Sequence, residues 1–93
     1  SLRVWPVPQV NITLIGRDEC HLCDDAREAI TTVIDGQSHV EFEEVNLEDN
    51  PLWKDLYGEL IPVVLINGEE HAHWKVEPDT LRQAIHDATA LAS

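Results

Sequence analysis

The sequence predicts an α/β fold: a four-stranded mixed sheet with three helices on its faces, in the order βαβ followed by αββα. Three observations carry this. The spacing of apolar residues switches along the chain between a period of two and one of 3.6. Asn67-Gly68 stands between two strand-like runs, the strongest short signal for a tight hairpin. A chain of 93 residues, 43% of them hydrophobic, supplies one core and not two. Residues 1–93 are therefore read as a single domain.

The elements follow in order. Val10, Ile12 and Leu14 alternate with partners in a run rich in β-branched residues that Gly16 ends, which predicts a buried first strand. Arg17-Asp18-Glu19-Cys20 is a short loop. From Leu22 the period changes: Leu22, Ala26, Ala29, Ile30, Val33 and Ile34 share one helical face. Asp24, Asp25 and Glu28 lie near its start, where the dipole favours acids, and Asp35-Gly36 closes it. Residues 39–45 alternate over their first half, with Val40 and Phe42 on one side and Glu41 and Glu43 on the other, the mark of a half-buried strand near a sheet edge. Pro51, Leu52, Leu56 and Leu60 predict a short helix with a leucine face, ending near Gly58. Residues 61–66 form the most apolar stretch; Pro62 cannot donate a ladder bond, so it belongs at that strand's start. Residues 69–74 are the last strand. Pro78 starts a terminal helix with Leu81, Ala84, Ile85, Ala88 and Leu91 on one face.

Charge narrows the function classes. Eighteen acids against six bases leave a formal net charge of −12. Such a surface repels phosphate backbones and anionic lipid, so neither a nucleic acid nor a membrane is an expected partner. No apolar run approaches the roughly 20 residues a membrane span needs. Ser1-Leu2-Arg3-Val4-Trp5-Pro6 does not read as a secretory signal. Both cysteines stand in one C-x-x-C, which points to a cytoplasmic redox pair or half of a metal site rather than to a secreted disulfide scaffold.

Cys20-His21-Leu22-Cys23 falls between a strand and a helix. Free N–H groups and the dipole at a helix start stabilise a thiolate. Cys20, on the loop side, is expected to be exposed and nucleophilic. Cys23, in the first turn, is expected to be covered and to resolve the mixed disulfide formed on Cys20. A cationic His21 would favour the thiolate, whereas Asp18, Glu19, Asp24 and Asp25 oppose it, with Arg17 the nearby base that offsets them. The alternative is a metal site; it needs two more ligands, for which His71 and His73 are the candidates, and both read as surface strand residues instead. Ile61-Pro62 before the third strand reads either as a plain strand-starting proline or as a cis proline that turns the Ile61 backbone outward to pair with an extended substrate.

These residues together resemble the thioredoxin superfamily, and within it a small glutaredoxin-like protein. The resemblance rests on Leu14-Ile15-Gly16-Arg17-Asp18-Glu19-Cys20-His21-Leu22-Cys23-Asp24, on Ile61-Pro62-Val63-Val64 and on Asn67-Gly68, and spans nearly the whole chain. It implies a thioredoxin-like fold with strand order 2-1-3-4, strand 3 alone running against its neighbours. It implies attack by Cys20, resolution by Cys23 and a cis Pro62. The glutathione-binding marks depart from the family pattern. His21-Leu22 stands where glutaredoxins carry proline and an aromatic residue, Leu60-Ile61-Pro62 replaces Thr-Val-Pro, and Gly68 is a single glycine where a pair follows the hairpin. Arg17 is the one base placed to meet a glutathione carboxylate.

The expected function is thus a thiol–disulfide oxidoreductase acting on protein disulfides or glutathione mixed disulfides. Cys20, Cys23 and Pro62 form the reacting centre, and Arg17, His21, Leu22 and Ile61 hold the substrate. A low-molecular-weight thiol or a reductase restores the dithiol, and no metal or organic cofactor is required. The competing readings are a binding module of the same fold with little turnover, and metal binding through the C-x-x-C. Trp5, Trp53 and Trp74 are expected in core or rim packing, Trp74 under the terminal helix, with Trp53 off the leucine face as an alternative exposed contact. Glu41, Glu43, Glu44, Glu48 and Asp49 read as a solvated face.

Overall fold

The alternating run at the start of the chain forms a strand, β1 (Val10–Gly16), and the change to a 3.6 period begins a helix, α1 (His21–Ile34). There follow β2 (Val40–Asn46), a 3-10 turn (Leu47–Asp49), α2 (Pro51–Tyr57), β3 (Val63–Ile66), β4 (Glu69–His73) and α3 (Pro78–Ala92). The structure, a computed structural model, describes residues 10–92. The readings made on residues 1–6, Trp5 among them, lie outside the described residues.

The four strands lie in the order β2-β1-β3-β4. β1 pairs in parallel with β2, from Val10 opposite Val40 to Gly16 opposite Asn46. β3 runs antiparallel to both β1 and β4. This is the thioredoxin-type arrangement, with a four-stranded mixed sheet and three helices. β1 is central, and residues 12–16 are all buried because both sheet faces are covered. The period of two then divides its side chains between two cores. Ile12 and Leu14 join Val64 of β3, Ala26, Ile30 and Val33 of α1, and Leu81 and Ile85 of α3. Ile15 joins Val63, Leu65 and Leu47 on the opposite face, under Trp53 and Tyr57 of α2.

Turn chemistry sets the register at the far end. Asn67 (φ 52°) and Gly68 (φ 86°) both take the left-handed region that a type I′ hairpin turn needs. The Asn67 side chain accepts the Asn11 N–H at 2.8 Å, and the Asn67 N–H donates to Asn11 O at 2.8 Å, which ties the hairpin to β1. In β4 the pairs Val64–Ala72 and Leu65–Glu70 leave His71 as the extra residue of a bulge.

Four expectations need correction. Leu52 and Leu56 do not form the buried face of α2; they are 74% and 60% exposed, and Trp53 and Tyr57 pack instead, their rings edge to face at 6.3 Å. A seven-residue helix offers two stripes four apart, and the larger aromatic pair buries more apolar surface. Trp53 is accordingly a packing residue. Leu91 stands on the predicted apolar face of α3 but is 88% exposed, because the helix has run past the core by then. Trp74 does not pack under α3; it follows β4 as a half-exposed residue. The third strand starts at Val63, with Ile61-Pro62 leading into it.

Candidate active site

The chain leaves the sheet at Gly16 and re-enters regular structure at His21, five residues on. Glu19, at φ 55°, makes the sharp bend. Cys20 is extended (φ −127°, ψ 108°) and caps α1: its Sγ accepts the Cys23 N–H at 3.1 Å. The cap puts the sulfur where an unsatisfied helix N–H and the positive end of the dipole stabilise negative charge. Cys20 and Cys23 are joined in a disulfide, with Cα atoms 5.2 Å apart. Their environments differ as the sequence predicts. Cys20 is partly exposed, whereas Cys23 is 2% exposed and sits over the end of β1. Gly16 makes that possible. A Cβ on Gly16 would lie 2.7 Å from Cys23 Sγ, so a side chain there would displace the sulfur.

The Ile61–Pro62 peptide bond is cis. The last β1–β3 pair is Ile15–Val63, so Gly16 at the end of β1 and Pro62 just before β3 come next, at the sheet end that feeds α1. Three hydrogen bonds from Trp74 hold the loop that leads there. Its backbone N–H donates to Pro62 O at 2.8 Å and to Leu60 O at 3.3 Å, and its indole N–H donates to Glu59 O at 3.0 Å. The Ile61 side chain packs on the Ile15 cluster, while its N–H and C=O make no hydrogen bond with the described residues.

Two depressions flank the cysteines. On one side a pocket of about 180 Å³ reaches Cys23 between Gly16, Arg17, Arg27, Glu44 and Asn46. Arg27 is fixed there by Glu44 (Nε to Oε1, 2.7 Å) and Asp24 (Nη1 to Oδ1, 2.9 Å). The hydrogen bond that Arg27 donates to Glu44, then that to Asp24, pushes the guanidinium pKa above its ordinary value, so Arg27 stays charged. On the other side a groove of about 310 Å³ runs between Leu22, Asp25, Ala26, Trp74, Lys75 and Val76.

The structure thus brings Cys20 and Cys23 together, lines the Cys23 pocket with Arg17, exposes His21 and Leu22 on the first turn of α1, and sets Ile61 and Pro62 at the same sheet end. Gly16, Arg27 and Trp74 carry no site role in the sequence reading. Arg27 alone left a signal, four residues after Cys23 and so on its helical face. His71 lies in a separate groove with Ala84 and Asp87, and His73 pairs with Glu70 at 2.9 Å. Among the described residues no group of three or more His, Cys, Asp or Glu side chains is placed to hold a metal ion.

Comparison with known proteins agrees with this geometry. The family model described as Glutaredoxin-like domain (DUF836) matches residues 11–86. An uncharacterized protein of Mycobacterium tuberculosis is 29% identical over 89 residues, covering 88% of this chain and 87% of its own. The X-ray structure of a structural-genomics target protein from X. campestris is 32% identical with a TM-score of 0.67, over 82% of this chain and 96% of that one. A solution structure from Nitrosomonas europaea, 23% identical over 88% of this chain and 98% of its own, has a TM-score of 0.71. A mutant thioredoxin from Halobacterium salinarum shares the fold, with a TM-score of 0.66 at 19% identity over 87% of this chain and 75% of that one.

Proposed function

Since the chain belongs to the glutaredoxin-like domain family, we propose that it is a thiol–disulfide oxidoreductase that reduces or exchanges protein disulfides or glutathione mixed disulfides. One observation carries this reading: a partly exposed Cys20 whose sulfur accepts a helix-start N–H, joined to a buried Cys23 one turn further in.

In the dithiol form the Cys20 thiolate attacks one sulfur of the substrate disulfide. The substrate S–S bond breaks, its other sulfur leaves as a thiolate, and a mixed disulfide forms on Cys20. Cys23, deprotonated, then attacks the Cys20 sulfur. The second substrate thiolate leaves, and the two electrons it carries away are matched by the new Cys20–Cys23 bond. A low-molecular-weight thiol or a reductase supplies two electrons and two protons to restore the dithiol. We place this cycle in the cytoplasm, where a reducing thiol pool serves that purpose. Ile61 offers its free N–H and C=O to an extended substrate segment, with Pro62 shaping the turn beside it. His21 and Leu22 line the mouth, and Arg17 meets a substrate carboxylate.

A trapping experiment tests the roles. Reduced Cys23→Ser protein, mixed with a disulfide substrate and resolved by intact mass, should retain one substrate moiety on Cys20. The Cys20→Ser protein should retain none, because its remaining thiol is buried. Equal retention by both variants overturns the assignment.

A further inference from the structure

We infer that Trp74 is a specificity-determining residue: with Leu22 it walls an apolar groove beside the cysteine pair that takes a large apolar side chain of a basic polypeptide substrate. The inference rests on the oxidoreductase reading and names its substrate class.

Trp74 is the starting point. Its φ of 66° lies in the left-handed region, which a bulky residue rarely enters and where glycine is the default. A large side chain kept in such a conformation calls for a reason outside local backbone energetics. Its three hydrogen bonds to the loop of Glu59, Leu60 and Pro62 fix its place, but burial of the ring adds little to them. The indole is held in place by its bond to Glu59 O and by an edge-to-face contact with His73 at 4.8 Å, yet 55% of the residue faces solvent. It is a fixed wall, edge-on to His73, with more than half of its surface open to solvent. Leu22, between the two cysteines, is 52% exposed and forms the facing wall. Buried Ala26 and Val76 line the groove between them, and its volume of about 310 Å³ accommodates a leucine or phenylalanine side chain. Because Leu22 belongs to the C-x-x-C itself, an occupant of the groove lies within a residue or two of the sulfur that Cys20 attacks.

Charge selects the rest of the occupant. Asp25 lines the groove, and Asp18 and Glu19 are exposed in the loop that leads to Cys20; none of the three makes an ion pair among the described residues, whereas Arg27 and Lys75 are already paired with Glu44 and Glu77. Arg17 is the one exposed guanidinium there without such a pair. Glutathione brings two carboxylates and one ammonium into this field and has no large apolar side chain for the groove. A polypeptide with a lysine or arginine and a large apolar residue next to its cysteine meets both features.

Pre-reduced protein is mixed in single turnover with the symmetrical disulfides of acetyl-Cys-Xaa-Lys-amide and acetyl-Xaa-Cys-Lys-amide, where Xaa is Leu, Phe or Ala. Oxidised glutathione and bis(2-hydroxyethyl) disulfide are run alongside. In at least one series the Leu or Phe probe should react about 10-fold or more faster than the Ala probe, the range one buried apolar side chain supplies. Trp74→Gly and Leu22→Ala should each bring that ratio below about 3, whereas Trp74→Phe, which keeps an aromatic wall and loses the indole N–H, should keep it. Replacing Lys by Glu in the best probe should slow it severalfold, an effect that high salt erases. Leu22 is exposed on a helix, so its variant reports even if Trp74→Gly does not fold. A ratio near one in the parent protein, or one that survives both Trp74→Gly and Leu22→Ala, overturns the groove. A protein that reduces bis(2-hydroxyethyl) disulfide without discriminating among peptides loses the groove alone. One that reduces no disulfide at all loses the oxidoreductase reading as well.

Discussion

Gly16→Ala puts the closest contact of the site to a quantitative test. The added methyl would lie 2.7 Å from Cys23 Sγ and 3.2 Å from Cys23 Cβ. Ordinary contacts between such atoms start near 3.5 Å, so the sulfur must move by most of an ångström. It has little freedom to do so, being 2% exposed and tied to Cys20. Overpacking of this kind costs about 1–3 kcal/mol. Gly16 lies in a strand outside the left-handed region, so the loss of unfolded-chain entropy on going to alanine returns about 0.4–1 kcal/mol. The net expectation is a destabilisation of about 1–2 kcal/mol, read from urea unfolding of the oxidised protein as a lower midpoint at unchanged m. The same substitution is then made in a Cys20→Ser/Cys23→Ala background, where no sulfur occupies the space. There it should fall within about 0.5 kcal/mol of neutral, leaving a coupling of about 1–2 kcal/mol between positions 16 and 23. An equal cost in both backgrounds would refute the claim that the Cys23 sulfur fills the space a side chain would need.

Other measurements bear on the rest of the molecule. Burial lowers the His71 imidazole pKa from its ordinary 6.5, even with Glu69, Glu70 and Asp87 in the same groove. The folded chain therefore resists a proton that the unfolded chain takes up, so stability is full above about 6.5 and declines as the pH falls through the lowered folded pKa. Urea midpoints between pH 8 and 5 should show that decline, and His71→Gln should flatten it; an unchanged slope speaks against the burial argument. Leu81→Ala, at a fully buried position, should cost about 2–5 kcal/mol, whereas Leu91→Ala should stay within about 0.5 kcal/mol. Similar melting temperatures for those two variants would contradict the boundary drawn between α3 and the core.

The legible parts of the fold are those written in local chemistry. The change of apolar period at Leu22, the Asn67-Gly68 turn and Pro78 at a helix start are read within a few residues of themselves, and each element predicted from them is present. The C-x-x-C between strand and helix is local in the same sense, and it predicts both the sulfur at the helix start and the deeper burial of Cys23. The strand order and the cis form of Ile61-Pro62 came with the family resemblance, since neither periodicity nor spacing specifies them. Illegible features depend on groups distant in the chain. Whether Leu52-Leu56 or Trp53-Tyr57 faces inward is decided by Ile15, Leu47 and Val63 beneath them. That Gly16 must lack a side chain follows from a sulfur seven residues away. Arg27 meets Glu44 only because β2 pairs beside β1. Trp74 takes a conformation that its residue type disfavours, and nothing in its neighbours announces it.

Among the described residues β2 is hydrogen-bonded on one side only, to β1. Such a rim is the sort of ready template on which a second chain extends a sheet, and Glu41 and Glu43 stand exposed on this strand, while Glu44 is held by Arg27. Two molecules approaching rim to rim would oppose these carboxylates, so the fold carries its own guard against fibrous self-assembly. The guard is ionic, so concentrated salt is the condition that weakens it.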